Sequence, residues 1–168
     1  RDRVYSYLPG SNKLKNVTDL VNNTDTKLGD FRSSQRYLSN GKSSSSQDYH
    51  YDVNGNLTRD LNKDIGTAAQ DGITYNYLNL PQSIVVRNSS GGEKGTISYT
   101  YDAAGVKLRK TVSEVGQPEK VTLYVGGSVY EDGVIQFLGH EEGRIRYDAT
   151  ATEESKRFQY DYFVKDHL

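Results

Sequence analysis

The side chains best suited to chemistry in this chain are its tyrosines. There are 14 of them against four Phe and no Trp. Many come as alternating pairs: Tyr49 with Tyr51, Tyr75 with Tyr77, Tyr99 with Tyr101 and Tyr160 with Tyr162. Residues i and i+2 of a strand share a face, so an exposed pair offers two rings to stack on a sugar. A buried pair packs between strands instead, the more frequent fate of such rings.

Other constellations are weaker. Asp52-Val53-Asn54-Gly55-Asn56 has the oxygen spacing of a calcium loop, but its Gly precedes Asn56 and the twelfth position is Lys63 rather than a bidentate Glu. It reads as an Asx turn. His50, His140 and His167 share no ligand spacing, and no Cys supports them, so no metal is expected. Ser128 follows Gly126-Gly127 without a nucleophile elbow. Glu141-Glu142 and Glu153-Glu154 are sequence neighbours that a strand points to opposite faces, so they cannot work together across a substrate. Nothing in these patterns argues for an enzyme or a cofactor.

The tyrosines belong to a repeated unit. Tyr49-His50-Tyr51-Asp52-Val53-Asn54-Gly55-Asn56-Leu57 and Tyr99-Thr100-Tyr101-Asp102-Ala103-Ala104-Gly105-Val106-Lys107-Leu108 share one pattern, with one residue of slack around the Gly. Two parts of the chain thus solve one local problem in one way. The tyrosines define a strand face, Asp52 or Asp102 and then Gly55 or Gly105 turn the chain, and Leu57 or Leu108 opens the returning strand. One hairpin is marginal alone, so copies should lie side by side. Second tyrosines at 51, 77 and 101, followed by Tyr124, leave intervals in the low to middle twenties, about one hairpin per period. In this reading Tyr51, Tyr77, Tyr101, Leu57, Leu80 and Leu108 hold neighbouring hairpins together.

Composition agrees with a thin sheet. The hydrophobic share is 34% and the mean hydropathy −0.78, low for a compact globule. Lys+Arg number 21 against Asp+Glu 22, without like-charge blocks, so no nucleic-acid partner is expected. No apolar run approaches the ~20 residues of a spanning helix. A chain that starts at Arg1 and stops at Leu168 directly after a strand-like run reads as a piece of a longer protein.

In order, Arg3 to Leu14 looks like a degenerate first copy, with a strand over Leu14 to Thr18 favoured over a helix. Asn22 to Gln47 reads as a long, partly mobile Asn/Ser/Gly-rich connection anchored by Leu28, Phe31, Tyr37 and Leu38. Residues 1–47 thus form a first division, and 48–168 the repeats proper. A short helical turn is read near Thr67-Ala68-Ala69. Ile73 to Pro81 reads as another Tyr-x-Tyr strand, Pro81 standing where no ladder hydrogen bond is needed. Strands follow over Ser83 to Arg87, Thr96 to Tyr101, Leu108 to Val115, Lys120 to Val125, Ser128 to Glu131, Val134 to His140, Gly143 to Tyr147 and Arg157 to Val164. Asp132-Gly133 is a strong two-residue hairpin signal. The expected fold is all-β: consecutive antiparallel hairpins forming a twisted, curled sheet.

These residues resemble the bacterial RHS/YD-repeat family, in particular its repeat-associated core region. The likeness rests on the repeats Tyr51 to Leu57 and Tyr101 to Leu108, on Tyr75-Asn76-Tyr77-Leu78-Asn79-Leu80-Pro81 as a variant repeat, and on Tyr124-Val125-Gly126-Gly127 and Glu142-Gly143-Arg144-Ile145. Tyr160-Asp161-Tyr162-Phe163-Val164-Lys165-Asp166-His167-Leu168 looks like the start of the family's core block. The resemblance covers Tyr49 to Leu168 well and Arg1 to Asn23 weakly. It implies a shell fragment: YD repeats forming a strip that coils into a hollow wall of a secreted or cell-surface protein and encloses or presents a C-terminal toxin segment. That segment and the family's self-cleaving block lie outside these residues. The implied partners are neighbouring repeats of the same protein, with exposed sheet edges able to pair two copies. The alternative is a carbohydrate- or protein-binding module using exposed tyrosines.

Overall fold

The computed structural model describes residues 3–20 and 31–164. The expected anchor Leu28 and the motif residues Lys165, Asp166, His167 and Leu168 lie outside them. The described chain is built mainly of antiparallel strands. It divides into two compact units, one reaching Ile97 and including Glu114–Gly116, the other formed by Ser98–Ser113 and the chain from Gln117.

The first unit begins with the hairpin β1 (Arg3–Tyr7) and β2 (Leu14–Asp19). A short helix, α1 (Gln35–Ser39), follows, and then the hairpin β3 (Tyr49–Tyr51) and β4 (Leu57–Asp60). A 3-10 turn at Leu61–Lys63 leads to β5 (Ile73–Tyr75) and β6 (Pro81–Arg87). Adjacent hairpins are stitched by backbone bonds: Asp48 N–H to the Lys15 carbonyl at 2.8 Å, and Gly72 N–H to that of Thr58 at 2.9 Å. Among the described residues, Val17, Tyr49, Leu61 and Ile73 are the buried apolar side chains. The sheet continues through β7 (Glu93–Tyr101), β8 (Lys107–Glu114), β9 (Lys120–Val125), β10 (Ser128–Glu131), β11 (Val134–His140), β12 (Gly143–Tyr147) and β13 (Phe158–Tyr162). From β5 to β13 the nine strands lie in strict sequence order, with β5 and β13 at the ends, so this sheet is open.

One turn recurs. At Asp52 the backbone N–H donates to the Asn56 carbonyl at 2.9 Å, Gly55 N–H returns to the Asp52 carbonyl at 3.1 Å, and Asp52 Oδ1 accepts from Asn56 N–H at 2.8 Å. Asp102 makes the same three bonds with Val106 and Gly105. Asn76 makes them with Leu80 and Asn79. The fourth turn residue is left-handed each time: Gly55 at φ 89°, Gly105 at 86°, Asn79 at 58°. Gly and Asn tolerate that region, which explains the spacing of Asx and Gly in the motif. The Asp132-Gly133 turn is also as expected, both residues left-handed and joining Glu131 to Val134.

Several expectations are corrected. Ile73 to Pro81 is not one strand: Tyr75 ends β5, Asn76 to Leu80 is the turn, and Pro81 begins β6 beside a register shift. The pattern misled because Asn79 replaces the telltale Gly. Thr67 to Gln70 is a bend held by the Thr67 hydroxyl, and the one-turn helix lies earlier, at Leu61–Lys63. The described part of the connection is ordered around α1, which Ser34 caps by accepting from Tyr37 N–H at 3.2 Å.

Candidate functional site

Two arrangements stand out in the first unit. The first is a tyrosine clasp. Tyr51 ends β3, and its hydroxyl donates to the Leu14 carbonyl of the preceding hairpin at 3.0 Å. Tyr75, at the same place in the next hairpin, donates to the Leu57 carbonyl at 2.7 Å. Each hairpin thus hooks onto the one before it through one residue type at one position. Burial raises the pKa of both phenols, with the Leu14 bond opposing at Tyr51, so both stay protonated donors. Tyr77, which the Tyr-x-Tyr spacing had aligned with Tyr51, lies on the turn and is 81% exposed. The clasp belongs to the tyrosine directly before the Asx residue, a distinction the spacing alone did not make.

Of the other repeat residues, Tyr49 is buried, and Leu57, Leu80 and Pro81 are half-buried. Tyr99 and Tyr101 are also half-buried, their ring centres 6.3 Å apart, with Lys107 Nζ 4.7 Å over Tyr99. Leu108 is 42% exposed and does not serve as a buried anchor. The Asp52 carboxyl is held below the ordinary carboxylate range: some desolvation opposes this, but the Asn56 side chain and the turn N–H groups prevail.

The second arrangement is a buried polar node that the sequence reading missed. Asp48, just before β3, is completely buried. Its Oδ1 accepts from Asn16 Nδ2 and the Tyr37 hydroxyl, each at 3.0 Å, and its Oδ2 from Val17 N–H at 3.1 Å. Lys42 Nζ, on a side chain only 7% exposed, donates to Asp48 Oδ2 at 2.8 Å, the Val17 carbonyl at 2.8 Å and Asn62 Oδ1 at 2.5 Å. Ser33 Oγ donates to the same Asn62 oxygen at 2.7 Å. The rings of Phe31 and Tyr37 flank the ammonium, each centre 5.5 Å from Nζ. Burial and Asp48 push the Tyr37 phenol up to about 12, and burial raises Tyr49 as well. A groove of about 540 Å³ opens beside Lys42. The only signal in the sequence was polar: a lysine, a serine run and isolated Asx residues in a stretch that looked like solvated connection.

In the second unit, Phe158, Tyr160 and Tyr162 alternate along β13, each more than half exposed. In register they face Tyr147, Ile145 and Gly143 of β12. The Tyr147 and Phe158 ring centres lie 5.5 Å apart, and those of His140 and Tyr162 6.3 Å. The other face carries Asp161 between Arg144 and Arg146, at 2.9 and 2.6 Å, and the two guanidiniums lower the Asp161 pKa to about 2. His50 sits on β3 of the first unit and His140 on β11 of the second, while His167 lies outside the described residues. In comparisons with known proteins the chain matches no protein-family model, no curated protein and no solved structure.

Proposed function

We propose that this chain is a non-enzymatic structural module, a length of wall from a larger protein in which hairpin docks on hairpin. The repeated clasp carries the reading, since Tyr51 and Tyr75 make the same bond to successive hairpins. In an array of this kind each repeat contacts only its neighbours, so stability accumulates roughly as a sum of repeats and their interfaces. With the resemblance to RHS/YD-repeat proteins, the module would lie at the bacterial surface or be secreted, stacked on further repeats and fencing off a C-terminal effector segment. The open sheet ends are the places where those repeats, or a second copy, would pair.

The test is serial trimming. Removing β12 and β13 should leave the amide spectrum of residues 3–97 unchanged and lower the unfolding free energy by one step. Collapse of the whole spectrum on that truncation overturns the module reading.

The aromatic face of β13 favours a second reading, a glycan-binding surface. It predicts glycan-array binding that disappears in Tyr162→Ala and survives in Tyr75→Phe. Binding insensitive to Tyr162 and Tyr160 removes it.

A further inference from the structure

The node around Asp48 brings a primary amine, a carboxamide and a carboxylate into one buried space. Lys42 Nζ lies 2.5 Å from Asn62 Oδ1, closer than the usual 2.7–3.2 Å of an N–H···O bond. The carbon bearing that oxygen is then within about 3–4 Å of the nitrogen, so a rotation of the Asn62 amide about its Cβ–Cγ bond is the movement needed to turn the hydrogen bond into an attack on that carbon. Asp48 Oδ2 contacts Nζ at 2.8 Å, and Ser33 Oγ–H points at Asn62 Oδ1 from 2.7 Å. Asn62 is 1% exposed, and its Nδ2 approaches the Tyr49 phenol without a hydrogen bond of regular geometry. The carbonyl end of the amide is held by donors while its nitrogen is free to leave.

We propose that Lys42 and Asn62 join in an intramolecular isopeptide bond, with Asp48 as the proton carrier. Asp48 Oδ2 takes a proton from the Lys42 ammonium, and the freed electron pair on Nζ attacks Asn62 Cγ. The 2.8 Å contact between Nζ and Asp48 Oδ2 is a direct path for that proton. As the new C–N bond forms, charge builds on Oδ1, where the Ser33 hydroxyl donates to it. Collapse restores the carbonyl and breaks the Cγ–Nδ2 bond. Nζ starts with three protons and ends with one. Of the two released through Asp48, one completes ammonia on Nδ2 and the other leaves with it as ammonium, so Asp48 is regenerated and no oxidant or reductant is needed. The Lys42 side chain is only 7% exposed and the Phe31 and Tyr37 rings lie beside its Nζ, which limits the access of water from the neighbouring groove. The product closes a loop between positions 20 residues apart. It ties the stretch after α1 covalently to the turn that follows β4.

The experiment is the intact mass of the purified chain. It should be lighter than the sequence requires by one ammonia, and trypsin should fail to cut after Lys42, giving a branched peptide that joins the Lys42 and Asn62 segments. Lys42→Arg and Asn62→Ala should each restore the full mass. Asp48→Asn keeps both reacting groups and should also restore it, with an amide spectrum to verify folding. A full sequence mass with ready cleavage after Lys42 overturns the cross-link. So does an ammonia deficit found in an unbranched peptide, as succinimide formation at Asn40-Gly41 or Asn54-Gly55 would produce. Cross-linking that persists in folded Asp48→Asn overturns the role given to Asp48.

Discussion

Replacing Tyr75 by Phe isolates the clasp, because it deletes one hydroxyl and leaves the ring. The lost bond is the 2.7 Å contact to the Leu57 carbonyl. An intramolecular hydrogen bond of this kind contributes about 1 kcal/mol net, with a range of roughly 0.5–1.5. For a chain of this size that is a drop in Tm of about 2–4 °C. Tyr51→Phe, which removes the 3.0 Å bond to Leu14, should cost a similar amount, and the double variant about 2 kcal/mol. Tyr77→Phe is the internal control. Its ring is 81% exposed, so its change should stay within about 0.5 kcal/mol. Urea unfolding followed by circular dichroism, with calorimetry for Tm, reads all four. If Tyr77→Phe costs as much as Tyr75→Phe, or if the double variant stays within about 0.5 kcal/mol of the parent, the clasp does not hold the hairpins together.

Two further outcomes are expected. Gly105→Val forces a β-branched residue to φ 86° and should destabilise by about 2 kcal/mol, whereas Gly105→Asn, imitating Asn79 at 58°, should cost less than half of that; equal losses in thermal melts would discount the turn argument. Tyr37 titrates near 12 when folded and near 10 when unfolded, so its contribution to stability is complete below pH 10 and lost as pH rises toward 12. Alkaline denaturation in that window should be blunted in Tyr37→Phe, and an unchanged pH profile would contradict the burial of the node.

Local turn chemistry was legible from residue order. Asp52 with Gly55, Asp102 with Gly105, and Asp132-Gly133 specify bends because side-chain acceptors and left-handed tolerance act over four or five residues. Alternation then placed most strands and the antiparallel order that follows from short connections. The choice between Tyr75 and Tyr77 lay beyond that range: a two-residue spacing puts both on one strand face, and only the chain reversal at Asn76 separates clasp from exposed tip. The node was hidden for a stronger reason. Lys42, Asp48 and Asn62 are each ordinary polar residues in a polar stretch, and nothing local buries them. They become one buried cluster only when β2, the stretch around α1, and the turn after β4 close over one another, a long-range event that no pattern in consecutive residues records.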